Sequence, residues 1–413
     1  MNLTKKRWLI LIVSCIANLC FGSIYTWSVF ASSMAEHLSA IKGTLLTTAD
    51  LAIVYTIANS VGPITMISGG WFNDKFGSKS IIFISGIMWG LGMFISGFAN
   101  SVTFLIISYG LIGGLGLGMG YGALINTCQK FFPDKRGLIG GITTAVYGLG
   151  SVILPPIIIV LVNKFDVSTT FKIVGIVFTV IIVGSSFFME KCPDNFVPDG
   201  WTPPNSKSNN NTTNKNWKEM LSSPIFYIML ILLTCGAFSG MMIISQASAV
   251  ARNMVGMSAI AASSVVSVLS LFNVLGRILA GYISDKIGKV RTLSLSCVLS
   301  IIGLLLIYKS SIENVYIFYL GTSIVGFCFG AFMGIFPGFT AEQFGSKNNS
   351  VNYGIMFIGF ALAGYFGPTI MTTIFNKNGS YHSAFIIASI LNIAGIAFAF
   401  IYHLLVNKKT KEV

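Results

Sequence analysis

Acidic residues are scarce in this chain, and they are missing where they would matter most. The 413 residues include 13 Asp and Glu against 26 Lys and Arg, and no acid falls in the interior of a long apolar run. A site for organic cations inside a membrane would need such an acid, so export of cationic drugs is not expected. Histidine numbers only three, and no His, Asp, Glu and Cys grouping has the spacing of a metal site or a nucleophile with its base. No metal, cofactor or catalytic residue is therefore expected, and the chain does not read as an enzyme. Six of the seven cysteines (Cys15, Cys20, Cys128, Cys235, Cys297 and Cys328) lie in apolar runs, which suggests small buried side chains and no disulfide framework. Charged residues make up 9% of the chain, against roughly 25% in a soluble domain.

Long apolar runs take the place of charge. Mean hydropathy is +0.79, and about 20 apolar residues suffice to span a bilayer as a helix. Twelve such runs occur, at 8–30, 47–70, 80–99, 103–128, 138–163, 169–189, 224–246, 258–282, 292–309, 314–339, 350–375 and 381–406. The fold class expected is an all-α membrane protein of twelve spans. The first run is too long for the apolar core of a signal peptide and is read as a span.

Basic residues set the orientation. With both termini in the cytoplasm, the inner segments hold 19 of the 26 Lys and Arg, and the outer segments hold six. That is a strong positive-inside bias for a protein of the cell membrane. The net charge of +13 is thereby explained by topology, and no nucleic-acid partner is expected. The lipid bilayer is the expected surrounding, and a monomer is the default for such a chain.

The stretch 191–223 is polar, with Pro193, Pro198, Pro203 and Pro204 and then Asn209, Asn210 and Asn211. It reads as a flexible cytoplasmic linker between a six-helix bundle at 1–190 and a second at 224–413. The halves repeat one another. Gly70-Trp-Phe-Asn-Asp74-Lys-Phe-Gly77 follows the second run, and Gly281-Tyr-Ile-Ser-Asp285-Lys-Ile-Gly288 follows the eighth. Gly114, Gly118 and Gly122 match Gly326, Gly330 and Gly334, while Gly141, Tyr147 and Pro155 match Gly354, Phe360 and Pro368. Duplicated halves at a nearly constant offset are typical of secondary transporters.

The repeated G-x-x-x-D-K-x-G resembles the signature loop of the major facilitator superfamily, and the resemblance covers the whole chain. It implies two pseudo-symmetric six-helix bundles that open alternately to either side. Gly70, Asp74, Gly77, Gly281, Asp285 and Gly288 would then be gate elements, the two carboxylates accepting hydrogen bonds from a facing helix N-terminus. Anchoring of helix ends by charge is the simpler alternative.

One charge stands inside an apolar run. Arg277 lies in the eighth, on a line of polar residues formed by Ser263, Ser267, Ser270 and Asn273. The steps of four, three, three and four keep these residues on one helical face. A lone cation in a span is costly and suggests an anion ligand. Snorkelling to the cytoplasmic surface, about 7 Å from the end of the run at 1.5 Å per residue, or pairing with carbonyls would be the structural alternatives. At the repeat offset, Met66 takes the place of Arg277 and Gly62 that of Asn273, so the duplicated scaffold does not require the cation. Tyr25, Tyr121, Tyr147, Phe332 and Phe360 could line the same apolar cavity, although each aromatic by itself suggests packing. A guanidinium closing a small apolar pocket suits a small organic acid.

Phe132-Pro-Asp-Lys-Arg-Gly137, Tyr147-Gly-Leu-Gly150, Ser284-Asp-Lys-Ile-Gly288 and Asn352-Tyr-Gly354 resemble the bacterial oxalate/formate antiporter family. The Asn273-x-x-x-Arg277 pair looks like its L-lactate and monocarboxylate branch. The resemblance implies that Arg277 is the carboxylate ligand. Where the oxalate transporter has a second cation in span eleven, this chain has Phe360, which disfavours a dianion. Where animal monocarboxylate transporters have an aspartate for proton coupling, this chain has Asn273. The expectation is symport of a small monocarboxylate with a proton, L-lactate first and pyruvate or formate next. Exchange of carboxylates and a transporter-like carboxylate sensor stay open. His382, at the outer start of the twelfth run, reads as interfacial and leaves the proton carrier open.

Overall fold

The computed structural model describes residues 2–48, 50–193, 196–202 and 214–411, apart from the side chains of residues 42, 259, 260, 263 and 407–411. Prolines 203 and 204 and the asparagine run at 209–211 lie outside the described residues. Among the described residues there is no strand. Among them, twelve helices are long and apolar enough to cross a membrane. The first six are Leu3–Ile41, Ala52–Phe76, Ser78–Ser96, Val102–Phe131, Arg136–Phe165 and Val167–Ser186. The remaining six are Pro224–Val255, Ser264–Ile287, Lys289–Lys309, Ile312–Phe344, Asn349–Asn378 and His382–Val406. They are called spans one to twelve below.

The helices differ from the apolar runs in ways that matter for the site. Spans two and eight continue past the expected ends at residues 70 and 282, so that Asp74 and Asp285 lie in helix and not in a loop. They stop at Gly77 and Gly288, where φ is +89° and +95°. Only glycine adopts that backbone without strain, which explains the last position of the repeated motif. Span one is interrupted by a 3-10 turn at Gly22–Thr26. Span four contains a π-helical stretch at Ile106–Gly113. Span eleven is made of helices Asn349–Met356 and Ile358–Asn378. The stretch read as linker contains a helical turn, Trp217–Leu221, held by reciprocal hydrogen bonds between Asn216 and Glu219.

The chain divides into two compact units. The first comprises Met1–Phe132, Val146–Gly200 and Lys347–Ile355, and the second Pro133–Ala145, Trp201–Ser346 and Met356–Val413. In each unit a glycine ladder joins corresponding spans. A methyl added at Gly114 would lie 2.7 Å from the Ala58 carbonyl oxygen, one at Gly118 would collide with that of Gly62, and one at Gly122 would lie 2.8 Å from Met66 Cγ. In the second unit a methyl at Gly326 would lie 2.8 Å from the Leu269 carbonyl oxygen, one at Gly330 would collide with that of Asn273, and one at Gly334 would lie 2.5 Å from that of Arg277. Bare backbone lets the helices pack this closely without a side chain between them. The rungs fall on the same repeat positions in both units.

Candidate functional site

Arg277 sits in the helix Ala259–Ile287, ten residues before its end. At 1.5 Å per residue that is about 15 Å, too far for easy snorkelling past the helix terminus. Its residual exposure is 4%. The polar line grades inward towards it, since Ser267 is exposed, Ser270 and Asn273 are half-buried and Arg277 is buried. The side chain of Ser263, the first member of the line, lies outside the described residues.

Two bonds orient the guanidinium. Nε donates to Asn273 Oδ1 at 3.1 Å, one helical turn back. Nη1 donates to the Thr144 carbonyl at 2.5 Å. Thr144 lies in span five, which approaches closely because Gly141 has no side chain: a methyl there would collide with the Arg277 carbonyl oxygen. One of the structural alternatives is therefore present in part, because a carbonyl does take one N–H. It does not cancel the charge. Among the described residues no carboxylate lies within ion-pair distance of Arg277, and three of its five N–H groups have no protein acceptor. Both N–H groups of Nη2 and one of Nη1 are left to donate to a carboxylate.

The other expected residues fall into separate groups. Phe332 and Phe360 belong to the second unit with Asn273 and Arg277, while Tyr25, Tyr121 and Tyr147 belong to the first. Phe332 is fully buried, and its ring covers Gly236, where an added methyl would collide with it. It has no surface to offer a ligand in this conformation. Phe360 is half-buried and stacks on Phe357 at 4.5 Å and on Phe329 at 6.3 Å.

In the first unit the Tyr147 ring lies 4.5 Å from that of Tyr121 and 5.4 Å from that of Tyr25. The 3-10 turn explains the second contact. Gly22 and Gly150 meet backbone to backbone, with a methyl at Gly150 falling 2.6 Å from the Gly22 carbonyl carbon, and this brings Tyr25 beside Tyr147. Tyr25 is 37% exposed, whereas Tyr121 and Tyr147 are buried. Sequence reasoning missed Thr144, whose contribution is a backbone oxygen. The proximity of Gly141 to Tyr147 in one motif-bearing span was the available signal.

The repeated motif is built the same way twice. Asp74 accepts from the Ser350 hydroxyl at 2.7 Å, from the Val351 N–H at 3.3 Å and from Lys130 Nζ at 2.7 Å. Asp285 accepts from the Gly137 N–H at 2.8 Å, the Leu138 N–H at 2.9 Å and Lys289 Nζ at 3.4 Å. Each carboxylate faces the first turn of a helix, Asn349–Met356 or Arg136–Phe165, where unpaired N–H groups and the helix dipole favour an anion. Gly70 and Gly281 make room, since methyls there would crowd the Ser350 and Gly137 carbonyls.

Among the described residues, twelve spanning helices with duplicated contacts, one of them carrying a buried cation without a carboxylate partner, have the architecture of a membrane transporter. The family model described as "Major Facilitator Superfamily" matches residues 8–308 and 240–413, and the chain belongs to that superfamily. It is similar to the "Uncharacterized MFS-type transporter YhjX" of Escherichia coli (strain K12), at 29% identity over 87% of this chain and 86% of the relative. It is also similar to the "Oxalate:formate antiporter" of Oxalobacter formigenes, at 27% identity over 96% of this chain and 92% of the relative. The crystal structure of the major facilitator transporter FucP in the outward conformation shares the fold, with a TM-score of 0.71, 13% identity, and coverage of 96% of this chain and 99% of that one.

Proposed function

We propose that this transporter moves a small monocarboxylate, with L-lactate the best fit and pyruvate or formate next, by symport with a proton. The observation that carries the reading is Arg277, a buried cation in a spanning helix with no carboxylate partner among the described residues and three unused N–H groups. Arg277 binds the carboxylate. Asn273 holds the guanidinium and accepts or donates to a 2-hydroxyl. Tyr25 and Tyr121 offer hydroxyls, and Tyr147, Phe332 and Phe360 supply apolar surface as the bundles change conformation. Phe360 provides no second cation, so a dianion would keep one charge uncompensated in an apolar setting.

Alternating access supplies the motion. Asp74 and Asp285 act as latches whose hydrogen bonds to helix N-termini form and break in each cycle. A bound monoanion neutralises the buried guanidinium and so lowers the cost of the closed state. The protein works as a monomer in the cell membrane, with both termini in the cytoplasm.

The test is uptake of labelled L-lactate into proteoliposomes with and without an inward proton gradient. Gradient-driven accumulation is expected, and oxalate should compete poorly. Similarity to an oxalate:formate antiporter across nearly the whole chain favours a second reading, exchange of one carboxylate for another. Counterflow that proceeds equally well without any proton gradient, together with no gradient-driven accumulation, would establish exchange in place of symport.

A further inference from the structure

The first unit contains three buried hydrogen-bond donors that the transport reading does not use. Trp27, Trp89 and Tyr109 come from spans one, three and four, with exposures of 5%, 0% and 0%. Their rings form one cluster: Tyr109 lies 4.6 Å from Trp27 and 5.5 Å from Trp89. Among the described residues, neither indole Nε1 nor the Tyr109 hydroxyl has a hydrogen-bond partner. Buried polar groups nearly always have one, because leaving them unpaired forfeits their hydration without return. Three such groups in one cluster therefore call for a common partner.

The backbone beside them is also irregular. Tyr109 lies within the π-helical stretch Ile106–Gly113. Where α pairing gives way to π pairing, the regular carbonyl ladder is interrupted and acceptors become available. The Ser108 hydroxyl already donates to the Phe104 carbonyl at 2.8 Å, and it pairs with the Ser96 hydroxyl at 2.8 Å. Span three fixes this stretch closely, since a methyl on Gly92 would lie 2.8 Å from both the Ser108 carbonyl oxygen and the Gly113 nitrogen.

We propose that Trp27, Trp89 and Tyr109 form an internal hydration site that holds buried water between spans one, three and four. Water matches the chemistry. Two waters supply lone pairs for the two indole N–H groups and the phenol O–H, and their protons serve each other and carbonyls of the π-helical stretch. A halide could accept from the same donors but would bring an uncompensated charge into an apolar core. The water ties three spans of one bundle together, and the inference does not depend on which substrate the transporter moves.

The experiment is X-ray radiolytic labelling of the full-length protein in lipid nanodiscs, transferred into oxygen-18 water. Hydroxyl radicals formed from bound water oxidise the side chains that touch it. After correction for intrinsic reactivity, Trp89 and Tyr109 should label several-fold more than Phe131 and Phe132, which are fully buried in the same unit and have ring contacts with Phe196 and Trp8. The heavy isotope should enter slowly. Equal labelling of the two pairs overturns the proposal. Tyr109→Phe gives an independent readout. If water bridges the cluster, the variant melts several degrees lower and labelling at Trp27 and Trp89 falls. An unchanged or higher melting temperature overturns it, because deleting a merely unpaired hydroxyl is neutral or stabilising. A melting temperature that rises when gluconate is replaced by chloride also overturns it, in favour of a halide.

Discussion

Spans two and eight occupy corresponding places in the repeat, and their difference isolates the chemistry of this transporter. Gly114, Gly118 and Gly122 press on residues 58, 62 and 66, and Gly326, Gly330 and Gly334 press on residues 269, 273 and 277. Both spans end in a carboxylate that faces a helix N-terminus and a glycine with positive φ. The second and third rungs differ in kind, with Gly62 answering to Asn273 and buried Met66 to buried Arg277. The same backbone packing works with a thioether, so the guanidinium is not there to hold the helices together. Burial of a charge without an opposite charge lowers stability, and the proposed substrate anion would offset that cost.

Exchanging the two residues would break the comparison most severely. Arg277→Met should lower uptake by at least about a hundredfold, the scale of losing a charged hydrogen-bonded contact, while leaving helix content and melting temperature intact or raised. Adding Met66→Arg should not restore uptake, because Gly62 takes the place of Asn273 and no side chain orients the new cation. Recovery of transport in the double variant would mean that the halves are interchangeable and that Asn273 and Thr144 are incidental.

The two carboxylates proposed as latches differ more subtly. Asp74 meets Lys130 at 2.7 Å, whereas Asp285 meets Lys289 at 3.4 Å and that lysine also pairs with Glu342 at 2.8 Å. Asp74→Asn should reduce uptake about 10- to 100-fold, in line with roughly 1.5–3 kcal/mol for a charged hydrogen bond, and Asp285→Asn somewhat less. Transport rates that are equal to wild type in both variants would remove the gate role. The ladders should behave alike in stability: Gly118→Ala and Gly330→Ala each insert a methyl into a carbonyl and should cost about 1–3 kcal/mol, seen as a lower melting temperature. A large loss in one half alone would show that the repeat is not mechanically equivalent.

The smallest effect lies outside both ladders. Asp166 caps span six, accepting the Thr169 N–H at 2.8 Å, and this bond holds its carboxyl below the usual range. A depressed pKa stabilises the fold above the ordinary carboxylate range and is lost as pH falls through the folded value. Asp166→Ala should cost about 1 kcal/mol at neutral pH, and the difference from wild type should vanish towards strongly acidic pH.

Much of this was legible in the residues themselves. Hydropathy marked twelve spans, and the repeat located both carboxylates, both ladders and the odd cation. What escaped was set by tertiary contact. The helices run past the apolar residues to Gly77 and Gly288 because facing N–H groups accommodate Asp74 and Asp285 inside the last turns. The break in span one follows from its crossing with Gly150, which no periodicity reveals. Thr144 acts through its backbone, and a side-chain inventory cannot find a carbonyl. Phe332 was expected in a cavity wall, yet its ring is fully buried against Gly236 of span seven. The helical turn at Trp217–Leu221 was available from Asn216 and Glu219 at capping-box spacing, but proline and asparagine content obscured it.

The central claim is that a fixed, planar guanidinium at position 277 reads a monocarboxylate. Its most direct test is L-lactate uptake by Arg277→Lys beside wild type at equal reconstituted amounts. Lysine keeps the charge but gives up the fork, the bond to Asn273 and the two-point contact. Uptake reduced to the level of empty liposomes, with melting temperature preserved, is the result predicted; uptake at the wild-type rate would contradict it.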